Sequence, residues 1–91
     1  MTVEVQIPAV LKKHTGGAKS VKGQGQTVRE LLDNLDRDYP GIKKQLTSED
    51  GQLHRFVNVY LNDEDIRFLQ QMETGLKDGD VVSILPAIAG G

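Results

Sequence analysis

Few residues in this chain have the type and spacing that chemistry needs. His14 and His54 stand in separate segments with no further ligand pattern around them, so the plainer reading is a loop histidine and a polar residue ahead of a strand rather than a metal site. Gly23-Gln24-Gly25 lacks the Gly-Lys-Ser/Thr end of a phosphate loop and the third glycine of a dinucleotide fingerprint. It reads as a turn before a helix. Asp63, Glu64 and Asp65 follow a strand-like run. Paired carboxylates do acid–base work only in a cleft that shifts their pKa values, and a surface turn suits these three better. Lys43-Lys44 reads as a solvated face, and the serines have no histidine placed to activate them.

What remains lies at Ala89-Gly90-Gly91. Glycines without a Cβ can pass through a narrow slot in a partner and bring a carboxylate up to a nucleotide. The six residues Pro86 to Gly91 would extend about 20 Å, and Pro86 stiffens their base. The plainer alternative is a frayed end of small residues.

The elements that would position such a tail are legible in part. Val3, Val5 and Ile7 alternate with Glu4 and Gln6, the period of a half-buried strand. Lys12 to Ala18, with His14, Gly16 and Gly17, reads as a hairpin loop, and Lys19 to Lys22 as a short strand pairing back. Gly23 to Gln26 then breaks the pattern. Thr27 with Glu30 three residues on makes a capping box. Val28, Leu31, Leu32 and Leu35 form one apolar helical stripe, and Tyr39-Pro40-Gly41 stops it. Ile42 to Leu46 suits a further helical turn, and Thr47 to Gln52 a loop. Phe56 to Leu61 is rich in β-formers. Asn62-Asp63 predicts a tight turn, Asp65 to Phe68 a short returning strand, and Gln70 to Thr74 a helical turn. Asp78-Gly79 predicts a turn before a last strand, Val81 to Leu85.

The order is β-β-α-β-β-β. One helix with one apolar stripe needs a sheet face to cover it, which gives an α+β two-layer fold. The first and last strands could lie side by side at its centre. One domain is predicted at residues 1–85 and a flexible tail at 86–91.

Composition narrows the class. Ninety-one residues make one domain, burying roughly 60–65% of the unfolded chain's surface, too little for a deep enclosed substrate cavity. The chain has no cysteine, hence no disulfide framework or thiolate metal site. Eleven Lys and Arg are interleaved with thirteen Asp and Glu, for a formal charge of -2, with none of the basic stripe a nucleic-acid binder shows. The apolar runs are too short to span a bilayer, and Met1 to Pro8 alternates as a strand does, unlike a signal peptide. A cytoplasmic protein with protein partners, rather than a nucleic acid or membrane, is expected.

The tail Leu85-Pro86-Ala87-Ile88-Ala89-Gly90-Gly91, after Leu76-Lys77-Asp78-Gly79-Asp80, resembles the end of the ThiS/MoaD family of sulfur carriers. His14-Thr15-Gly16-Gly17, Lys19-Ser20-Val21 and the stretch Leu53 to Phe68 are similar to its CysO-type branch, the carriers of an alternative actinobacterial cysteine pathway. The resemblance covers nearly the whole chain. It implies a ubiquitin-like β-grasp: a mixed sheet of about five strands with one main helix on one face. It implies that a MoeB/ThiF-like, E1-like enzyme adenylates the Gly91 carboxylate with Mg-ATP, and that a sulfur donor displaces AMP to leave a thiocarboxylate. Gly90, Ala89 and Ile88 would thread the partner's active site. An O-phosphoserine-dependent cysteine synthase would accept the sulfur and a zinc peptidase would free the product. The carrier would hold no cofactor or metal of its own and would not be an enzyme. Exposed residues of the Phe56 to Leu61 strand, namely Phe56, Asn58 or Tyr60, are candidates for the partner surface. The same chemistry could serve molybdopterin, thiazole, a thiosugar or a thionucleoside, and a ubiquitin-like modifier joined to lysines is the alternative of another class.

Overall fold

The computed structural model describes residues 2–54 and 57–86, with the backbone alone at Pro86. Five strands form one mixed sheet: β1 (Thr2–Gln6), β2 (Ser20–Gln24), β3 (Val57–Leu61), β4 (Glu64–Asp65) and β5 (Val81–Pro86), in the order β2-β1-β5-β3-β4. β1 and β5 run parallel at the centre, Glu4 opposite Val81 and Gln6 opposite Ser83, and the other neighbours are antiparallel. The adjacency that patterning allowed is thus present. A strand flanked on both sides has its backbone groups taken up by two ladders, which makes β5 a firm base for whatever follows Pro86.

Helix α1 (Val28–Asp38) and the short α2 (Ile42–Leu46) cover one face. The capping box is formed, with one change of partner. Thr27 Oγ1 accepts from the Glu30 amide at 3.2 Å, but Glu30 Oε1 accepts from the Gln26 amide rather than that of Thr27. The predicted stripe is the core. Val28, Leu31, Leu32 and Leu35 are buried with Val3, Val5, Val57, Val59, Val82 and Ile84 from the sheet. At the end of α1, Asp36 Oδ1 accepts from the amides of Gly41 and Lys43, and Lys43 pairs with Asp33. Gly41 takes φ 96, a left-handed conformation that glycine adopts without steric cost, and this lets the chain turn directly into α2.

Three expectations are corrected. Lys12 to Ala18 is not a plain hairpin loop, because Ala9–Thr15 winds into a 3-10 helix. Its cause is local burial: Leu11 and Thr15 both turn inward, and the Thr15 hydroxyl lies within hydrogen-bond distance of the Lys12 and Ala18 carbonyls. The Asp65 to Phe68 strand is reduced to Glu64–Asp65, since the Asp65 carboxylate accepts from the Arg67 amide at 2.9 Å and bends Ile66–Phe68 into a 3-10 turn. Gly23 and Gly25 do not mark a loose break. β2 runs through Gly23 to Gln24, and a Cβ on Gly23 would stand 2.5 Å from Leu31 Cδ1. One on Gly25 would stand 2.6 Å from the Leu31 backbone nitrogen. These glycines let α1 press onto the sheet.

Candidate functional site

The turn Asp78-Gly79-Asp80 fixes where β5 starts. Asp78 Oδ1 accepts from the Thr2 amide at 2.7 Å, and Gly79, at φ 85, donates to the Thr2 carbonyl. Asp80 accepts from the Lys77 amide with one oxygen and from Asn62 Nδ2 with the other. Asn62 Oδ1 in turn accepts from the Val81 amide. Asn62 and Asp63 have φ of 49 and 72, the pair of left-handed residues that a tight hairpin between β3 and β4 requires. Asp78 and Asp80, together with Asn62, thus tie the starts of β1 and β5 to the end of β3, and the register so fixed sets the exit point at Pro86.

Alternation along the strands divides the sheet into two faces. Val82 and Ile84 of β5 face the helices. Ser83 and Leu85 face away, beside Gln6 of β1 and Asn58 and Tyr60 of β3: Leu85 stands opposite Asn58, and Ser83 opposite Tyr60 and Gln6. Ser83 Oγ donates to Gln6 Oε1 at 3.0 Å. Leu85 is 46% exposed, a large apolar side chain next to the strand's last residue, while Asn58 and Tyr60 are half-buried. Of the sequence-derived candidates, Asn58 and Tyr60 thus lie together on the open face beside the exit. Phe56, Ile88, Ala89, Gly90 and Gly91 lie outside the described residues.

Leu85 was missed as a surface residue, although its odd place in the Val82/Ile84 alternation signals it. Phe68, 84% exposed on the turn after β4, and Val10, 63% exposed, were missed as well. Apolar identity conceals exposure of this kind. His14 belongs to the 3-10 helix, where its Nε2 is buried without a partner. The His54 amide donates to the Leu46 carbonyl.

A parallel pair of strands at the centre of a five-stranded sheet, one helix across one face and an exit at the end of the middle strand define a ubiquitin-like β-grasp domain. Within that class the chain belongs to the ThiS family, whose sequence profile matches residues 5–91. It is 50% identical over 93 aligned positions to the "Sulfur carrier protein CysO" of Mycobacterium tuberculosis, all of both chains being covered. A chain in the crystal structure of the Amycolatopsis orientalis BexX/CysO complex superposes with a TM-score of 0.91 at 53% identity, covering 98% of this chain and 99% of that one. "Small archaeal modifier protein 3" of Haloferax volcanii is 42% identical over 65 residues, covering 71% of this chain and 70% of that protein. No helix among the described residues is long and apolar enough to cross a membrane.

Proposed function

We propose that this chain is a sulfur carrier whose working group is the Gly91 carboxylate. The observation that carries the reading is the full-length likeness to the mycobacterial CysO carrier, since the aligned stretch runs through the terminal Gly-Gly. A carboxylate is a poor electrophile. Attack of Gly91 on the α-phosphorus of ATP releases pyrophosphate and gives an acyl-adenylate. Sulfide, or a persulfide with a reductant, then displaces AMP and leaves a thiocarboxylate. The activating enzyme supplies this chemistry. The chain supplies the carboxylate, a tail that threads at Gly90, Ala89 and Ile88, and a docking face around Leu85, Asn58 and Tyr60, with Phe56 a further candidate. In this reading the chain is not itself a catalyst and works in the cytoplasm. The likeness to a chain in the BexX/CysO complex supports a protein partner for it.

The sulfur's destination in this reading is the aminoacrylate formed from O-phosphoserine on a cysteine synthase. The thiocarboxylate sulfur adds to the aminoacrylate β-carbon, an S-to-N acyl shift leaves cysteine amide-linked to Gly91, and a zinc peptidase releases it. The likeness to an archaeal modifier favours, as a second reading, conjugation of the same activated terminus to lysines.

Intact mass spectrometry after incubation with Mg-ATP, an E1-like enzyme and sulfide tests the proposal. The expected product carries one sulfur in place of one oxygen at Gly91. A chain that is never adenylated would end the reading, and lysine conjugates in host extract without any thiocarboxylate would select the second.

A further inference from the structure

Charges of both signs are mixed along most of this chain, but no Asp or Glu falls between Glu4 and Glu30, while Lys12, Lys13, Lys19, Lys22 and Arg29 do. The fold gathers Lys12, Lys13 and Lys19 at the end of the sheet where β5 leaves the domain. β1 runs parallel to β5 and feeds the 3-10 helix Ala9–Thr15 at that end, and the Lys19 carbonyl, ahead of β2, accepts from the Ile7 amide just past β1. Lys13 and Lys19 are exposed and Lys12 is half-buried, and no ion pair among the described residues includes any of the three. The far end carries the other sign: Asp63, Glu64, Asp78 and Asp80 sit in the β3–β4 hairpin and the turn before β5, with Lys77 beside them.

The same end holds an apolar hollow of about 110 Å³, walled by Pro8, Val10 and Leu11, by Gln45 and Leu46 of α2, and by Val57 and Ile84 of the sheet. Gln45 brings the one polar side chain to those walls. Val10 is 63% exposed, and at three residues per 3-10 turn Lys13 lies on the same side of its helix as Val10. A hollow of this size takes one branched aliphatic side chain, and its largely apolar walls give waters little to bond.

We propose that this end of the domain is a docking surface for an acidic protein partner, which seats one aliphatic side chain in the hollow and sets carboxylates against Lys12, Lys13 and Lys19. That the partner is the enzyme activating Gly91 rests on the carrier reading; the surface itself does not. An apolar centre inside a charged rim is the anatomy of a protein interface. A nucleic-acid site needs cations spaced along phosphates and has no use for the hollow. A second copy docking by the same end would set lysine against lysine. With acid at one pole and base at the other, the domain has a field that turns its exit end toward an acidic surface as it approaches. Rim charges act mainly on the rate of encounter, and the hollow acts on the lifetime of the complex.

Surface plasmon resonance with the full free chain over the host's E1-like enzyme, without ATP, tests this. The association rate of the unaltered chain is expected to fall as salt rises. The double variant Lys13→Glu, Lys19→Glu is expected to associate about tenfold more slowly at low salt, with little change in dissociation. Val10→Ser, at an exposed position that leaves the core intact, should speed dissociation and keep the salt dependence. Glu64→Lys, an exposed change at the far pole, should not slow association. Equal association rates for the unaltered chain and the double variant, or no association of the unaltered chain, would overturn the proposal. So would duplex DNA or anionic vesicles held more tightly than the enzyme at the same salt, or self-association in sedimentation that the double variant abolishes. Binding and loading fail separately, because ATP is absent. A chain that binds through the lysines but is never adenylated ends the carrier reading and leaves the surface. A double variant bound and adenylated like the unaltered chain ends the surface and leaves the carrier reading.

Discussion

At Gly90 the relevant property is the missing Cβ. A valine there narrows the allowed φ and ψ and adds two methyls where a slot in a partner has to close on backbone. Gly90→Val is expected to slow adenylation of Gly91 at least tenfold while changing folding stability by less than about 0.5 kcal/mol, the range of substitutions that leave a core untouched. Adenylation kinetics paired with a denaturant melt checks both halves, and an unchanged rate would mean that the tail is not gripped. Leu85 belongs to the same scale. It is 46% exposed at the mouth of the exit, beside Asn58 on the neighbouring strand. In the docking face proposed above, an exposed apolar side chain there would be the anchor. Leu85→Glu puts a charge on that spot and is expected to weaken capture by the activating enzyme, raising the KM for the carrier with little effect on kcat or on Tm. Equal KM for the two proteins would place the docking surface elsewhere on the domain.

At the scale of elements, the parts written in local patterns were the parts legible beforehand. Thr27 and Glu30 announced the start of α1, and Leu31, Leu32 and Leu35 its inner face, because capping and helical spacing are properties of neighbours in sequence. The 3-10 turns at Ala9–Thr15 and Ile66–Phe68 escaped notice because Thr15 and Asp65 bend the backbone through short-range side-chain hydrogen bonds that leave no periodicity. Gly23 and Gly25 escaped notice for another reason. A glycine that frees a turn and a glycine that admits a helix are the same letter, and only the distance to Leu31 separates them. That distance supports a prediction on both sides of the contact. Leu31→Ala, with Leu31 fully buried, is expected to cost roughly 2–5 kcal/mol. Gly25→Ala is expected to cost about 1–3 kcal/mol through overpacking, because its new methyl meets helix backbone that cannot rotate aside. Chemical denaturation measures both, and a neutral Gly25→Ala would show that α1 can lift off the sheet without penalty.

For the whole molecule, the proposed carrier reading divides the task of choosing partners between the tail and the domain. The candidate tail was readable from its residue types, since glycines at an end need no fold to be seen. The surface that ranks partners was readable only in part, because which side of β3 and β5 is covered depends on where α1 lies. A slot that accepts Gly-Gly accepts it from any carrier with such an end, so the tail selects for the presence of a slot and nothing finer. Discrimination has to come from contacts that a wrong partner cannot satisfy, on the rigid surface around the exit. In the carrier reading proposed above that surface is the open face, where Leu85, Tyr60, Asn58 and the hydrogen-bonded pair Ser83 and Gln6 are held in one register. Half of the aligned positions are identical to the mycobacterial CysO carrier over its full length, so the likeness extends well beyond the tail and into this domain. Delivery of sulfur to an aminoacrylate, rather than to a pterin precursor, follows as the expected outcome. The thiocarboxylated chain mixed with O-phosphoserine and the host's cysteine synthase should yield cysteine joined to Gly91, seen by mass. Replacing Tyr60 and Leu85 together should abolish that adduct while a free thiol-reactive probe still finds the thiocarboxylate, which separates recognition from loading. If no adduct forms with the unaltered chain, while a sugar or pterin acceptor is thiolated efficiently, the destination changes and the loading chemistry at Gly91 does not.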